Sequence, residues 1–436
     1  MNTPICDFVA EYSKKKMLRG HMPGHKGQPI LGMEPLDITE IQGADSLYEA
    51  DGVIRQSEEN ASVLFGCETF YSTEGSTQCI KAMVYLSLKW AKEKGKKPLI
   101  AAGRNAHKSF VTAAALMDAD VEWLFPKEGE SYLSCCPTAE ETDAFLAAHS
   151  PCALYLTSPD YLGHMADIAS IARICKKHGV LLMVDNAHGA YLRFLQPSLH
   201  PMDLGADMCC ASAHKTLPVL TGGAYLHLSK ELASLFSRPQ VKKALSLFGS
   251  TSPSYLILQS LDKVNQLLAD GLAEKIRENA ARSLPFLSRL PTEGDEPLKI
   301  TLRCKQMGYT GTELAKILRG KKVECEFCDP DYLVLMRSAT GQDAGESVLS
   351  SLPEKAPLLQ PPPAFHPPEK VMSLRDALMA KSQIIPAEES LGRVLAGITV
   401  GCPPAVPIVV SGERIDKNAL QCFQYYGISH VDVVSE

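Results

Sequence analysis

At 436 residues, with 45% apolar and 22% charged side chains, the chain has the make-up of a globular protein with room for more than one core. A net charge of -6 with no basic block argues against a nucleic-acid partner. The longest purely apolar runs, such as residues 180–184, are too short to cross a bilayer, so no membrane partner is expected. The first seven residues lack the basic-then-apolar pattern of a signal peptide. The fourteen scattered cysteines read as reduced, buried thiols. Both observations lead us to expect a cytoplasmic protein.

In chain order, residues 1–50 are rich in Gly and Pro and read as an extended N-terminal arm with a short helix near 8–16. Residues 51–290 read as a large domain. Within it, apolar runs at 98–102, 153–157, 180–184, 207–211 and 223–227 predict strands, and helical patterns fit 77–92 and 168–178. Apolar strands separated by helices predict an α/β fold with a mostly parallel sheet covered on both faces. No GxGxxG follows the first of these strands, which argues against dinucleotide binding. After Pro253, the spacing of Leu261, Val264, Leu268, Leu272 and Ile276 predicts one long helix, ended by Pro285.

Residues 291–436 read as a smaller α+β domain. Leu298, Ile300 and Leu302 alternate like a half-buried strand, a helix fits 312–318, and a further strand ends near Met336. Pro353, Pro357, Pro361, Pro362, Pro363, Pro367 and Pro368 make residues 352–370 an extended connector. The tail resumes with a helix at 372–381 and a strand at 407–410. Cys325 and Cys328 have CxxC spacing, but no second pair or His cluster completes a tetrahedral set, so no metal site is expected.

Three segments carry chemistry. Lys215 ends an apolar run and follows Ser212 and His214. A lysine that forms a Schiff base needs desolvation or nearby cations to free its amine, although a strand-end lysine can also simply reach for water. Asp185 ends another apolar run, in Asp185-Asn186-Ala187-His188-Gly189. Leaving a buried strand costs a carboxylate much unless it meets a cation, and the pyridinium of pyridoxal 5'-phosphate is one. The plain alternative is a turn residue. Finally, Gly75-Ser76-Thr77 opens a helical pattern and offers amides and hydroxyls to a phosphate, or serves as an ordinary cap. Together they point to pyridoxal 5'-phosphate held by Lys215, and to an amino-acid substrate.

With His21-Met22-Pro23-Gly24-His25-Lys26-Gly27, Asn105-Ala106-His107-Lys108-Ser109, Ser250-Thr251-Ser252-Pro253 and Pro403-Pro404-Ala405-Val406-Pro407, these segments resemble the ornithine/lysine/arginine decarboxylases. The likeness runs through nearly the whole chain, in the short form without an N-terminal wing domain. It implies fold type I of the pyridoxal-phosphate enzymes, as in aspartate aminotransferase, and decarboxylation of a basic amino acid to an amine for polyamine biosynthesis. It also implies that Lys215 carries the cofactor and Asp185 pairs with its pyridine nitrogen, with Ala187 and His188 among the cofactor-binding residues. His107 stacks on the ring, Gly75, Ser76, Thr77, Ser212 and His214 take the phosphate, and Lys215 or His214 returns a proton to Cα. Thr251 reaches the phosphate of a neighbouring subunit, so a homodimer with shared sites is implied.

The chain departs from the family pattern in three ways. Asn186 stands where the family has Glu, Gly397 and Cys402 stand where it has Glu and Tyr, and Ala405 replaces a Gly. A basic side chain then needs another carboxylate, for which Asp37, Glu40, Asp45 and Glu49 are candidates. An aminotransferase or carbon–carbon lyase of the same fold, or a non-catalytic homologue, is the competing reading.

Overall fold

The computed structural model describes residues 1–127, 129–282, 284–341, 345–353, 355–398, 400–401 and 405–435. The chain forms two compact units, Met1–Lys89 with Leu181–Glu278, and Trp90–Val180 with Asn279–Glu436. The α/β class expected from the alternation of apolar runs and helices is the class observed. Strands β1 (Glu68–Ser72), β2 (Leu99–Gly103), β3 (Asp120–Leu124), β4 (Ala153–Thr157), β5 (Leu181–Asp185), β6 (Met208–Ala211) and β7 (Ala224–Leu228) are the main strands of this region. Their order is β1-β7-β6-β5 in the first unit and β4-β2-β3 in the second. β5 and β6 are parallel, as are β2 with β3 and β2 with β4, whereas β7 and β1 run antiparallel. Each apolar run that predicted a strand here is found within two residues of its expected place. The polar-rich β1 and β3 were not among those expectations.

The helices of this region include α1 (Pro4–Lys14), α2 (Val53–Phe65), α3 (Gly75–Glu93), α4 (Lys108–Leu116), α5 (Ala139–His149), α6 (Ile168–His178) and the single turn α7 (Ala213–Thr216). Two buried carboxylates set the first two. Asp262 Oδ2 accepts from the amides of Ile5 and Cys6, both at 3.0 Å, and so satisfies the start of α1 from a distant helix. Asp45 Oδ2 accepts from Gly52, Ile54 and Arg55 at the start of α2. The first unit's core includes Phe65, Phe194, His200, Tyr225 and His227, whose rings meet at 4.7 to 5.7 Å.

The single helix predicted after Pro253 is two helices, Tyr255–Leu267 and Ala273–Ala281. Between them Asp270 and Gly271 leave helical geometry, and Gly271 sits at φ 114°, which a side chain would oppose. The apolar stripe runs across the break: Leu261, Val264, Leu268, Leu272 and Ile276 are all buried.

In the second unit, β8 (Thr292–Glu293), β9 (Lys299–Arg303), β10 (Phe327–Cys328) and β11 (Tyr332–Met336) form an antiparallel sheet in the order β10-β11-β9-β8. The helix Gly311–Gly320 packs on it through Leu314 and Leu318, beside Ile300, Leu302, Leu333 and Leu335. The expected tail helix is Leu374–Met379. The expected strand at 407–410 is only the two residues Val406–Pro407, because the following backbone turns around Glu413. Cys402 lies outside the described residues.

Candidate active site

The site is assembled in the first unit from the C-terminal ends of β5 and β6 and the N-terminus of α3. β1 ends at Ser72, whose hydroxyl accepts from Glu74 N at 3.1 Å and donates to Gln78 Oε1 at 2.5 Å, which ties the turn to the first turn of α3. Gly75 enters the helix at φ 69° and donates its amide to Gly222 O at 2.8 Å. A Cβ on Gly222, at φ 100°, would lie 2.8 Å from Thr73 O, so the two segments meet only through glycine. Ser212 Oγ donates to Ser76 Oγ at 2.9 Å and brings the β6 end to this helix start. Thr77 is exposed on the same turn.

Parallel pairing places Asp185, the last residue of β5, opposite Cys210 of β6. The carboxylate is 2% exposed, and its Oδ1 accepts from Ala187 N at 3.1 Å and from the Cys210 thiol at 3.4 Å. Burial first, then the nearby Asp185 charge, pushes the Cys210 thiol well up. Burial also pushes the neighbouring Cys79 thiol to about 12. Both thiols therefore stay protonated beside the carboxylate. Asn186 is fully buried against Gly189, where a Cβ would come within 1.9 Å of Asn186 Oδ1.

Lys215 lies on α7, one turn after β6, and its Nζ is 3.0 Å from His188 Nε2. His214 Nδ1 is 3.0 Å from Gly223 O; a carbonyl can only accept, so Nδ1 carries a proton. Lys215, His188, Asp185, Ala187, Ser212, His214 and Gly75 to Thr77 therefore share one unit.

Thr251 is exposed in the loop before helix Tyr255–Leu267, and among the described residues its side chain makes no hydrogen bond. His107 belongs to the second unit. There it caps α4, its Nδ1 accepting from Ser109 N at 3.1 Å.

The arm carboxylates divide. Asp45 is 4% exposed and committed to five backbone amides (Ser46, Asp51, Gly52, Ile54 and Arg55), so it is a cap and not a partner for a substrate cation. Asp37 pairs with His25 at 3.1 Å, Glu40 accepts from Thr39, and Glu49 lies in a short 3-10 turn. Sequence reasoning missed Cys210 and Gly222. The Gly222-Gly223 pair was a visible signal for close backbone approach; Cys210 reads as plain core until the strand pairing is known.

The groups around the α3 start suit a phosphate-bearing cofactor. Thr73 Oγ1 and Thr216 Oγ1 are buried without a hydrogen-bond partner, and a Cβ at Gly75 would meet nothing within 4 Å. Unsatisfied hydroxyls, an open glycine and the amides of a nineteen-residue helix start form a phosphate-type donor set. A buried carboxylate and a lysine amine complete what pyridoxal phosphate requires, so the set fits.

Residues 3–282 match the family described as Orn/Lys/Arg decarboxylase, major domain. The chain is 30% identical to an arginine decarboxylase of Halalkalibacterium halodurans, over 96% of this chain and 92% of that protein. It is 29% identical to an arginine decarboxylase of Bacillus subtilis, over 95% and 91%. In structure it is similar to lysine decarboxylase A from Pseudomonas aeruginosa, with a TM-score of 0.78 at 17% identity, covering 99% of this chain and 80% of that one. This last likeness speaks to the fold. By the extent of the family match and of its relatives, the chain belongs to the Orn/Lys/Arg decarboxylase family.

Proposed function

We propose that the protein is a pyridoxal-phosphate-dependent decarboxylase acting on arginine, lysine or ornithine, and that it works as a cytoplasmic homodimer supplying amines for polyamine biosynthesis. The observation that carries this reading is the cluster of Lys215, His188, Asp185 and the α3 N-terminus in one unit, on a chain similar to arginine decarboxylases over more than nine-tenths of its length.

Lys215 would hold the cofactor covalently and Asp185 would keep its ring nitrogen protonated. Gly75, Ser76, Thr77, Ser212 and His214 would hold its phosphate, and the family resemblance leaves His107 as the residue stacked on its ring. When bound, the cofactor supplies the electron sink into which the Cα–carboxylate bonding pair flows. Lys215 Nζ, 3.0 Å from His188 Nε2, would share a proton with that imidazole and hold it within reach of Cα. Cys79 and Cys210, held as thiols, exclude water from the carboxylate without adding charge to it.

The test is a panel of amino acids assayed with the loaded enzyme for released carbon dioxide and for keto-acid product. Carbon dioxide from a basic amino acid is the expected result. Keto acid without carbon dioxide would assign an aminotransferase, and cofactor bound at Lys215 with no turnover on any amino acid would assign a non-catalytic homologue.

A further inference from the structure

In the second unit, Arg104 stands three residues before His107 and is 1% exposed. Its Nη2 donates to Glu413 Oε2 at 2.9 Å and to Ile408 O at 3.0 Å, and its Nη1 donates to Pro407 O at 3.2 Å. Glu413, 3% exposed, turns the same Oε2 to Val410 N at 2.8 Å. The tail from Pro407 to Glu413 is thus folded round one guanidinium, which also faces the rings of Trp123 at 5.2 Å and Phe365 at 5.8 Å. The backbone of Arg104 is itself anchored, its amide donating to Leu124 O at 2.8 Å. On the other side of His107, Lys108 N donates to Ala405 O at 3.0 Å, where Ala405 sits at φ 61°. The His107 loop is therefore fastened to the tail at both ends.

Burial pushes the Glu413 carboxyl up and the Arg104 guanidinium down, and the attraction between the two opposes both shifts. For stability alone such a pair is a poor choice, because well-packed apolar residues often serve as well or better. What apolar residues cannot supply is direction. A planar guanidinium with three acceptors from one segment fixes that segment's register.

We infer that Arg104 and Glu413 are positioning residues for the decarboxylase reaction: they set the His107 loop in register with the tail 405–413. This rests on the proposed reading, in which His107 has the role that the resemblance gives it.

The test compares the holoenzyme with Arg104→Met/Glu413→Leu and with Arg104→Lys, which keeps the charge but not the fork. For each, the melting temperature, kcat and KM on the substrate found by the panel, and hydrogen exchange at the Lys108 and Val410 amides are measured. Borohydride labelling of Lys215 is followed in parallel. Expected are a melting temperature near that of the parent, faster exchange at both amides, intact labelling, and a kcat lower by about 10- to 100-fold with a smaller change in KM. A folded variant with parental kcat overturns the inference, and so does a kcat loss no larger than the loss of folded protein. If the double variant does not fold, Arg104→Lys decides by the same criteria. If the wild type turns over no amino acid, the reading of function fails separately. The exchange measurement then decides, and unchanged exchange at Lys108 and Val410 overturns the inference.

Discussion

Lys215 Nζ lies 3.0 Å from His188 Nε2, so the proposed Schiff-base amine has a proton acceptor beside it before any substrate arrives. An amine and an imidazole can each donate or accept, so this contact is a path for a proton between them. Borohydride reduction of the yellow holoenzyme should fix the cofactor on Lys215, and peptide mapping reads this directly; label on another lysine refutes the assignment. His188→Ala should leave that label in place but lower kcat about a hundredfold, the scale of a lost proton-transfer partner.

Asp185→Asn keeps the shape of the side chain and removes its charge. The variant should still bind pyridoxal phosphate, seen as a retained visible band, while kcat falls about a hundredfold or more. Near-parental turnover would reduce Asp185 to a turn residue.

Gly222→Ala puts a methyl group 2.8 Å from Thr73 O at a backbone angle that only glycine adopts easily. The cost should be about 1 kcal/mol or more in stability. It should fall on the α3 start, weakening cofactor binding measured by equilibrium titration with pyridoxal phosphate. Unchanged affinity would show that the Thr73–Gly222 approach does not shape the phosphate cradle.

Thr251 is exposed, as a residue serving a second subunit must be. Mixing Thr251→Ala protomers with Lys215→Ala protomers should therefore restore part of the activity that each has lost, because mixed dimers contain some sites with both wild-type residues. Verified heterodimers with no restored activity would place each site within one chain.

His164 lies between two acids, Nδ1 3.0 Å from Asp160 Oδ2 and Nε2 3.1 Å from Glu293 Oε1, on the wall of a cavity of about 740 Å³ in the second unit. The hydrogen bond to Asp160, then that to Glu293, raises its pKa from 6.5 to about 10. A raised folded-state pKa means that the stabilisation is complete below about 6.5 and is lost as pH rises towards 10. The melting temperature should therefore fall across that window, and His164→Gln should flatten the slope. An equal slope in the variant would assign the pH dependence to other groups.

The residues that carry the proposed chemistry were legible because their signals are local. Asp185 ends β5 and Gly75 begins α3, elements whose periodicity the sequence shows, and Lys215 follows the apolar run of β6 by one turn. Asp45 was not legible. Its five amide donors come from residues up to ten positions away, and as a sequence feature it is an acid in an arm. The break at Gly271 was hidden because the apolar spacing continues on both sides of it. β1 and β3 were hidden because Glu68, Thr69, Ser72, Asp120 and Glu122 dilute their apolar runs, and pairing with a neighbouring strand rather than composition makes them strands. The Cys210–Asp185 and Arg104–Glu413 contacts depend on topology and could be seen only once the strands and the tail were placed.

The grip of Asp262 on the first turn of α1 bears on how this protein can be handled. That carboxylate, whose pKa burial raises, spends Oδ2 on Ile5 and Cys6 and Oδ1 on Ser57, so the opening residues are internal ligands of the fold. Trimming the chain to residue 15 would strip two amides from a buried acid while sparing every residue proposed for chemistry. A shortened preparation with poor solubility or low yield would thus report on an unsatisfied carboxylate far from the lysine, and expression vectors should leave Pro4 and Ile5 in place.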